Sequence, residues 1–160
     1  MNAVVVYDSM YGNTERLARA IAEVLGTTRV VAVADISQAD WGGCDVVVIG
    51  GPTQRHGMSP AMRQWLDGLS AGTFRSQAVA VFDTRLNMSR LLTGSAAAQI
   101  AHALKRAGAR LIIPVESFFV TGGPRGEETT LMGGEVELAC EWASRIEDKI
   151  GATANLAGSR

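Results

Sequence analysis

The stretch Val4-Val5-Val6-Tyr7-Asp8-Ser9-Met10-Tyr11-Gly12-Asn13-Thr14 constrains the fold more than any other part of the chain. A run of β-branched residues reads as a buried strand, the run breaks at Asp8-Ser9, and from Thr14 to Ile21 the apolar residues take up helical spacing. A strand that passes through a short polar loop into a helix leaves unpaired N–H groups at the helix start, where the macrodipole favours an anion. Ser9, Asn13 and Thr14 add side-chain donors, and the loop holds no Lys or Arg, so a phosphate here would be held by neutral groups. That differs from the Gly-Lys-Ser/Thr ending of a P-loop and from the G-x-G-x-x-G of a dinucleotide fold. Taken alone, the segment reads either as a phosphate site or as an ordinary turn between strand and helix.

The rest of the chain alternates strand and helix signals. Ala3 to Tyr7 is the first strand, and a helix from Asn13 or Thr14 to Leu25 closes on Gly26 at its C′ position. A second strand spans Arg29 to Val33. A crossover through Ser37, Trp41, Gly42 and Gly43, short for a parallel connection, leads to a fully apolar third strand, Val46 to Ile49. Ser59-Pro60 marks an N-cap followed by proline at the first helical position, and Met62, Trp65, Leu66 and Leu69 then line one helix face. Val79 to Phe82 is the fourth strand. A helix from Ser95 to Ala107 turns Ile100, Ala103, Leu104 and Ala107 inward and stops at Gly108. Leu111 to Val120 is the fifth strand, and Pro114, which removes a ladder donor, predicts a place at the sheet edge. Leu138, Trp142, Ile146 and Ile150 space the last helix, which Gly151 is expected to end, so that residues 1–152 form one domain and 153–160 a loose tail.

Five strands alternating with helices define an α/β fold of the doubly wound kind, a parallel sheet covered on both faces and joined by right-handed crossovers. With 160 residues, 47% of them apolar, the chain suffices for a single domain with a sizeable core. Its net charge of −1 carries no basic surplus for nucleic acid. Strand-like sequence follows Met1 almost at once, without a basic leader or a long apolar run, so neither a signal peptide nor a membrane span is expected and cytoplasmic is the default location. Cys44 and Cys140 lack C-x-x-C spacing and read as buried structural thiols. His56 and His102 lack ligand spacing too, and no metal site is expected.

Ligands of doubly wound sheets lie beyond the carboxyl ends of the strands, at the switch in strand order. Three of those ends are unusual here. The first strand runs into residues 9–14, the third into Gly50-Gly51-Pro52-Thr53-Gln54-Arg55-His56-Gly57, and the fourth into Asp83-Thr84-Arg85-Leu86. Turn residues and hydrogen-bonding side chains gathered on one rim favour a shared ligand over three independent connections.

Ser9-Met10-Tyr11-Gly12-Asn13-Thr14 resembles the phosphate loop of flavodoxin-like proteins, whose pattern is hydroxyl residue, any residue, hydroxyl or aromatic residue, then Gly-Asn-Thr. Gly51-Pro52-Thr53 with Gly57-Met58-Ser59-Pro60 resembles the second flavin loop of that family, and the likeness runs along nearly the whole chain except the tail. The resemblance implies the strand order 2-1-3-4-5 and FMN as cofactor. FMN is implied rather than FAD because the family's loop ends on a terminal phosphate and no segment here resembles an adenylate site. By the same resemblance Ser9, Met10, Tyr11, Gly12, Asn13 and Thr14 hold the phosphate. Pro52, Thr53, Gln54, Arg55, His56 and Gly57 line one edge and face of the isoalloxazine ring, with Gly57 as hinge because glycine tolerates positive φ. Asp83, Thr84 and Arg85, with Leu86, face the pyrimidine side. Flavodoxins are usually strongly acidic and often sandwich the ring between aromatic side chains. This chain is nearly neutral, offers His56 in the second loop, and has no aromatic between Phe82 and Leu86.

Two functions compete under that resemblance. One is an electron carrier working between protein partners, a reductase and an acceptor. The other is an FMN-dependent oxidoreductase that takes hydride from NAD(P)H and reduces a quinone. Gly51-Pro52-Thr53 and Met58-Ser59 also resemble flavodoxin-like quinone reductases, but the glycine-rich segment expected after the fourth strand of those enzymes is here Asp83-Thr84-Arg85, and the carrier is the preferred reading. A phosphoacceptor receiver domain shares the topology and fails on position, with Gly50-Gly51 where its aspartate belongs and no lysine at the end of the fifth strand. Trp65 and Trp142 fall on apolar helix faces and read as core residues. Arg55 and Arg85 read either as solvated surface charges or as ligand contacts, Asp83 also as a simple turn acceptor. Glu135, Glu137 and Glu141 read as the solvent face and negative start of the last helix. Residues 122–134 read as a surface loop.

Overall fold

The structure, a computed structural model, describes residues 1–37, 41–122 and 128–158, with side chains to residue 153. The centre of the expected surface loop, residues 123–127, lies outside the described residues. One sheet is built from β1 (Ala3–Tyr7), β2 (Val30–Ala32), β3 (Val46–Pro52), β4 (Ala78–Leu86), β5 (Arg110–Leu111), β6 (Glu116–Thr121) and β7 (Thr130–Leu131). Its order is β2-β1-β3-β4-β6-β7, with the short β5 also on β4. The pairings are parallel except the last, β6 with β7. The expected order of the first four strands is met, and the sheet carries extra strands beyond them.

The helices are α1 (Asn13–Val24), α2 (Pro60–Asp67), the short α3 (Arg90–Thr93), α4 (Ala96–Arg106) and α5 (Glu135–Gly158). Strand alternation sends side chains to two separate cores. Val5, Val48, Ala80 and Phe82 pack with Leu17 and Ile21 of α1 and Trp142 and Ile146 of α5. Val4, Val6, Val47, Ile49, Val79 and Val81 pack with Met62 and Leu66 of α2 and Ile100 and Leu104 of α4. A sheet buried on both faces is why these strands are continuous apolar runs rather than alternating ones. Phe82 stands opposite Gly50 in the β3–β4 register, and a Cβ at Gly50 would fall inside the Phe82 ring. Trp142 is a core residue with Phe82 and Phe118, as expected, and the half-buried Trp65 packs against the core beside Phe74 and Trp41, which is itself buried.

Several expected boundaries move. The fifth strand is interrupted: β5 ends at Leu111 and β6 begins at Glu116, with Pro114 in the gap, because proline has no N–H to give the ladder. Its second half is flanked by β4 and, at Val120 and Thr121, by β7, so its end is not an open edge. β4 runs on to Leu86 because β6 pairs with residues 82–86. Helix α5 continues through Gly151 to Gly158, since an isolated helical glycine costs only about 1 kcal/mol relative to alanine. Leu138, expected inward, is 50% exposed, and the buried stripe of α5 runs through Glu135, Ala139, Trp142, Ala143 and Ile146. Glu135 is therefore not a solvent-face residue; its carboxylate accepts from the backbone N–H of Phe119 at 2.9 Å. Cys44 is buried as expected, whereas Cys140 is only half-buried. No helix among the described residues is long and apolar enough to cross a membrane.

Candidate functional site

Because β1, β3, β4 and β6 run parallel, their carboxyl ends open on one rim, and the loops that follow meet there. Loop one begins where the Asp8 N–H donates to the Gly50 carbonyl (3.0 Å) and pairing of β1 ends. Gly12, with φ +82°, forms the N-cap of α1, and no side chain caps this helix. Serines cap α2, α3 and α4, where Ser59, Ser89 and Ser95 accept from Met62, Leu91 and Ala98. The first amides of α1 are thus left for an acceptor that is not a capping side chain. The Ser9 hydroxyl oxygen is buried without a hydrogen-bond partner. Buried polar atoms are normally satisfied, so it marks a place for an incoming acceptor. Met10 and Tyr11 stand 58% and 38% exposed.

Thr14 and Asn13 make ties that spacing along the chain does not show. Thr14 is 1% exposed, and its hydroxyl oxygen lies 2.9 Å from that of Thr84 on β4. The Asn13 amide donates to the Thr129 carbonyl (2.8 Å) and hydroxyl (3.0 Å), drawing residues 128–130 over the first loop. Tyr7, the last residue of β1, has its phenol pKa raised, first by burial and then by the charge and hydrogen bond of Glu15. Glu15 is held in turn by Arg19 at 2.7 Å.

Loop two is a tight turn. Gln54 N–H donates to the Gly57 carbonyl (2.8 Å), Gly57 N–H to the Gln54 carbonyl (2.9 Å), and the two residues between them, Arg55 and His56, have φ of +43° and +73°. Two central residues at positive φ make this a type I′ turn, a shape that favours Gly and Asn. The expected assignment of positive φ to Gly57 is therefore corrected: the strained positions are Arg55 and His56. Gly57 packs against the side-chain amide of Gln99, the end of a flexible side chain that a Cβ at residue 57 would push aside. Gln54 Nε2 approaches Met10 Sδ at 3.9 Å, and His56 bridges Gly94, so loop two touches both neighbours. Arg55 and His56 themselves are exposed.

Asp83, Thr84 and Arg85 are strand residues rather than loop residues, at 0%, 4% and 8% exposure. Alternation sends Thr84 to the α1 face and Asp83 to the α4 face. Asp83 Oδ2 accepts from Ser95 Oγ (2.7 Å), Ala97 N (2.9 Å) and Thr53 Oγ1 (3.1 Å). Thr53 Oγ1 also accepts from Ala96 N (2.9 Å), and Thr53 N–H donates to the Thr84 carbonyl (2.8 Å). A carboxylate at the start of α4 thus locks the root of loop two to that helix and suits its dipole. Arg85 donates to the Met88 carbonyl (2.7 Å) and lies 4.9 Å from the Phe119 ring centroid, which makes it the tie of the β4–α4 loop and not a solvated surface charge. Above that tie Met88, Leu91 and Leu92 are 51%, 95% and 61% exposed. Sequence spacing missed Gln99 and Thr129 because each reaches the rim from an element remote in the chain, and it missed the exposed leucines because apolar residues read as core.

An anion seated at the start of α1 would have loop two and the β4–α4 loop on either side of whatever it is attached to, the arrangement of a mononucleotide-binding protein of the doubly wound class. The sequence makes that class specific. Residues 4–107 match the flavodoxin domain family, so the chain belongs to the flavodoxin family, and its cofactor is FMN. A comparison with curated proteins finds no match. Among solved structures the chain is similar to a flavodoxin from the domain Archaea, with a TM-score of 0.73 and 19% identity over 94% of this chain and 99% of that one. It is similar also to a WrbA-like flavodoxin from Agrobacterium tumefaciens, with a TM-score of 0.74 and 21% identity over 94% and 98%. The rubredoxin oxygen:oxidoreductase of Desulfovibrio gigas matches with a TM-score of 0.71 and 19% identity over 94% of this chain but 36% of its own. At such identities these likenesses concern the fold. The residues present fit the cofactor: an uncapped helix start, an orphaned buried hydroxyl at Ser9 and a loop without charged donors suit a terminal phosphate.

Proposed function

We propose that this protein is a cytoplasmic electron carrier that exchanges electrons with separate reductase and acceptor proteins through bound FMN. The observation that carries the carrier reading is the collar of exposed apolar side chains on the rim: Met10 and Tyr11 in loop one, and Met88, Leu91 and Leu92 on the β4–α4 loop. Large apolar side chains grouped around a binding site mark a surface for another protein. Bound FMN supplies the ring that takes up and gives back electrons. The chain supplies the rest. Ser9, Met10, Tyr11, Gly12, Asn13 and Thr14 form the phosphate cradle through backbone amides and hydroxyls, with Asn13 holding the cradle closed against Thr129. Pro52, Thr53, Gln54, Arg55, His56 and Gly57 form one wall for the ring. Asp83, Thr84 and Arg85 act from beneath the other wall: Asp83 fixes Thr53 to α4, Thr84 supports Thr14, and Arg85 holds the β4–α4 loop in place.

Two measurements test the reading. In a fluorescence titration FMN should bind more tightly than riboflavin, which lacks the phosphate; equal affinities would remove the phosphate cradle. The FMN-loaded protein alone should oxidise NADH and NADPH negligibly and be reduced rapidly once a flavodoxin reductase is added, and Leu91→Ser with Leu92→Ser should slow that reduction. Saturable turnover of NAD(P)H with a quinone and no second protein would replace the carrier by the oxidoreductase.

A further inference from the structure

We infer that the α2–α4 side of this protein docks an acidic redox protein, one that gives electrons to the carrier or takes them from it; the redox half of this inference rests on the FMN reading above. The chain's net charge of −1 is the remainder of two large and opposite totals. Residues 46–115 hold eight Lys and Arg against two Asp, a net +6, and the rest of the chain holds seven against fourteen Asp and Glu, a net −7. The fold keeps the two apart. Residues 46–115 supply α2 and α4, which cover one face of the sheet, while α1 and α5, with Glu23, Glu137, Glu141, Glu147 and Asp148 exposed, cover the other.

The positive charge of that segment is on its surface. Of its two acids Asp83 is fully buried and Asp67 exposed, whereas every cation except Arg85 is exposed. Arg63, His102 and Arg106 line the groove between α2 and α4 with Asp67. The acceptors that Arg63 and Arg90 reach are neutral, Gln99 Oε1 and Ser117 Oγ, both at 3.4 Å. Neither ion pair among the described residues, Arg19–Glu15 or Arg145–Glu116, draws on these cations. The helix dipole accounts for Lys105 and Arg106 in the last turn of α4, but not for Arg63 in the middle of α2, nor for Arg55, Arg75 and Arg110 outside the helices. Like charges gathered on one side repel, and an anionic partner relieves that repulsion. That partner is a protein, because the cations flank the apolar collar: loop two, with Arg55, bridges through His56 to Gly94, which closes the short helix of Arg90, Leu91 and Leu92. An apolar centre with a charged rim is the anatomy of a protein interface. The large exposed hydrophobic residues of this segment, Met88, Leu91 and Leu92, include no aromatic on which a nucleic-acid base could stack. A second copy would have to present its α1–α5 side, where Arg16, Arg19, Arg145 and Lys149 stand among the acids, and such a heterologous contact leaves both ends of the pair open.

The first arm of the test uses FMN-free protein and fluorescently labelled poly-glutamate, read by anisotropy. Poly-glutamate should bind at low salt and be released near 1 M salt, where the Debye length is about 3 Å. Arg63→Glu with Arg106→Glu, both exposed, should weaken binding by about tenfold or more. Arg145→Glu with Lys149→Glu changes the net charge equally on the opposite side and should leave affinity within about twofold. In the second arm, reduction of the FMN-loaded protein by reduced ferredoxin, an acidic iron–sulfur protein, should slow as salt is added, whereas electron transfer from the reduced protein to the basic cytochrome c should not. Net charge alone gives the reverse, since a chain of −1 repels ferredoxin and attracts cytochrome c. A ferredoxin rate that holds level or rises with salt overturns the inference, as does poly-glutamate binding that is absent or that both double variants lose equally. Tighter binding to phosphatidylserine vesicles or to a single-stranded oligonucleotide, or self-association that Arg63→Glu with Arg106→Glu abolishes, overturns it in favour of a membrane, a nucleic acid or a second copy. If the protein fails to bind FMN, the carrier reading falls, while the poly-glutamate arm still decides whether this side docks an acidic protein.

Discussion

Asp83→Ala should lower the stability of the protein by roughly 3 kcal/mol, a value assembled from the donors that converge on one carboxylate oxygen. The Ala97 N–H is fixed by the first turn of α4, 2.9 Å from Asp83 Oδ2, and cannot turn to another acceptor. Leaving it buried and unpaired costs about 1–3 kcal/mol. The Ser95 and Thr53 hydroxyls also donate to Oδ2, at 2.7 and 3.1 Å, but each can rotate, so each loses only the net value of a hydrogen bond, about 0.5–1.5 kcal/mol. Working against these losses, removal of a fully buried ion relieves its desolvation, and that relief is real because Oδ1 has no partner. Asp83→Asn keeps one acceptor oxygen in place but trades charge-assisted bonds for neutral ones about half as strong, so its loss should be smaller, about 1–2 kcal/mol. Urea unfolding followed by tryptophan fluorescence reads the difference. With a slope of about 2 kcal/mol/M, Asp83→Ala should move the midpoint down by about 1.5 M and Asp83→Asn by under 1 M. An unchanged or raised midpoint for Asp83→Ala would refute the reasoning, since the desolvation of the ion would then outweigh everything it binds.

Thr14→Val, which preserves shape, should weaken FMN by about tenfold to a hundredfold, the loss of one hydrogen bond to a charged group of 1.5–3 kcal/mol, and leave riboflavin affinity unchanged. An equal loss for both ligands in a fluorescence titration would assign the Thr14–Thr84 contact to stability alone. Arg85→Gln should cost about 2 kcal/mol through the lost Met88 carbonyl bond and Phe119 contact, and proteolysis should then begin within residues 86–93; a variant as protease-resistant as the parent would contradict the tie. Tyr7, its phenol pKa raised by burial and by Glu15, keeps its proton in the folded chain at a pH where the unfolded chain has begun to release it. Its contribution is complete below pH ~10 and is lost as pH rises through the folded value, so unfolding midpoints should fall above that pH, less steeply in Tyr7→Phe. Identical slopes in the two proteins would exclude Tyr7 as the cause.

The parallel sheet, its helices and the rim where the loops gather were all legible along the chain, because each depends on the apolar period of a segment and on the residues that start or stop it. Val4 to Val6 and Val46 to Ile49 admit few alternatives to strands buried on both faces, and Ser59-Pro60 marks a helix start by local chemistry. The Gly-Asn-Thr of loop one is equally local, a matter of which donors stand next to a helix. What spacing could not reach were the pairings between distant segments. β4 extends to Leu86 because β3 pairs with it to Thr84 and β6 to Leu86, and Asp83, Thr84 and Arg85, which the sequence alone leaves as a loop, are buried strand residues. Gly50 leaves no room for a Cβ because of the buried Phe82 ring, and the buried Glu135 carboxylate takes the backbone N–H of Phe119. Local sequence determines what each segment can become, since propensity, periodicity and capping act within one or two turns. Which polar side chain meets which backbone group across 40 or more residues is decided by packing, and here packing buries Asp83, Thr84 and Arg85 among partners from other elements.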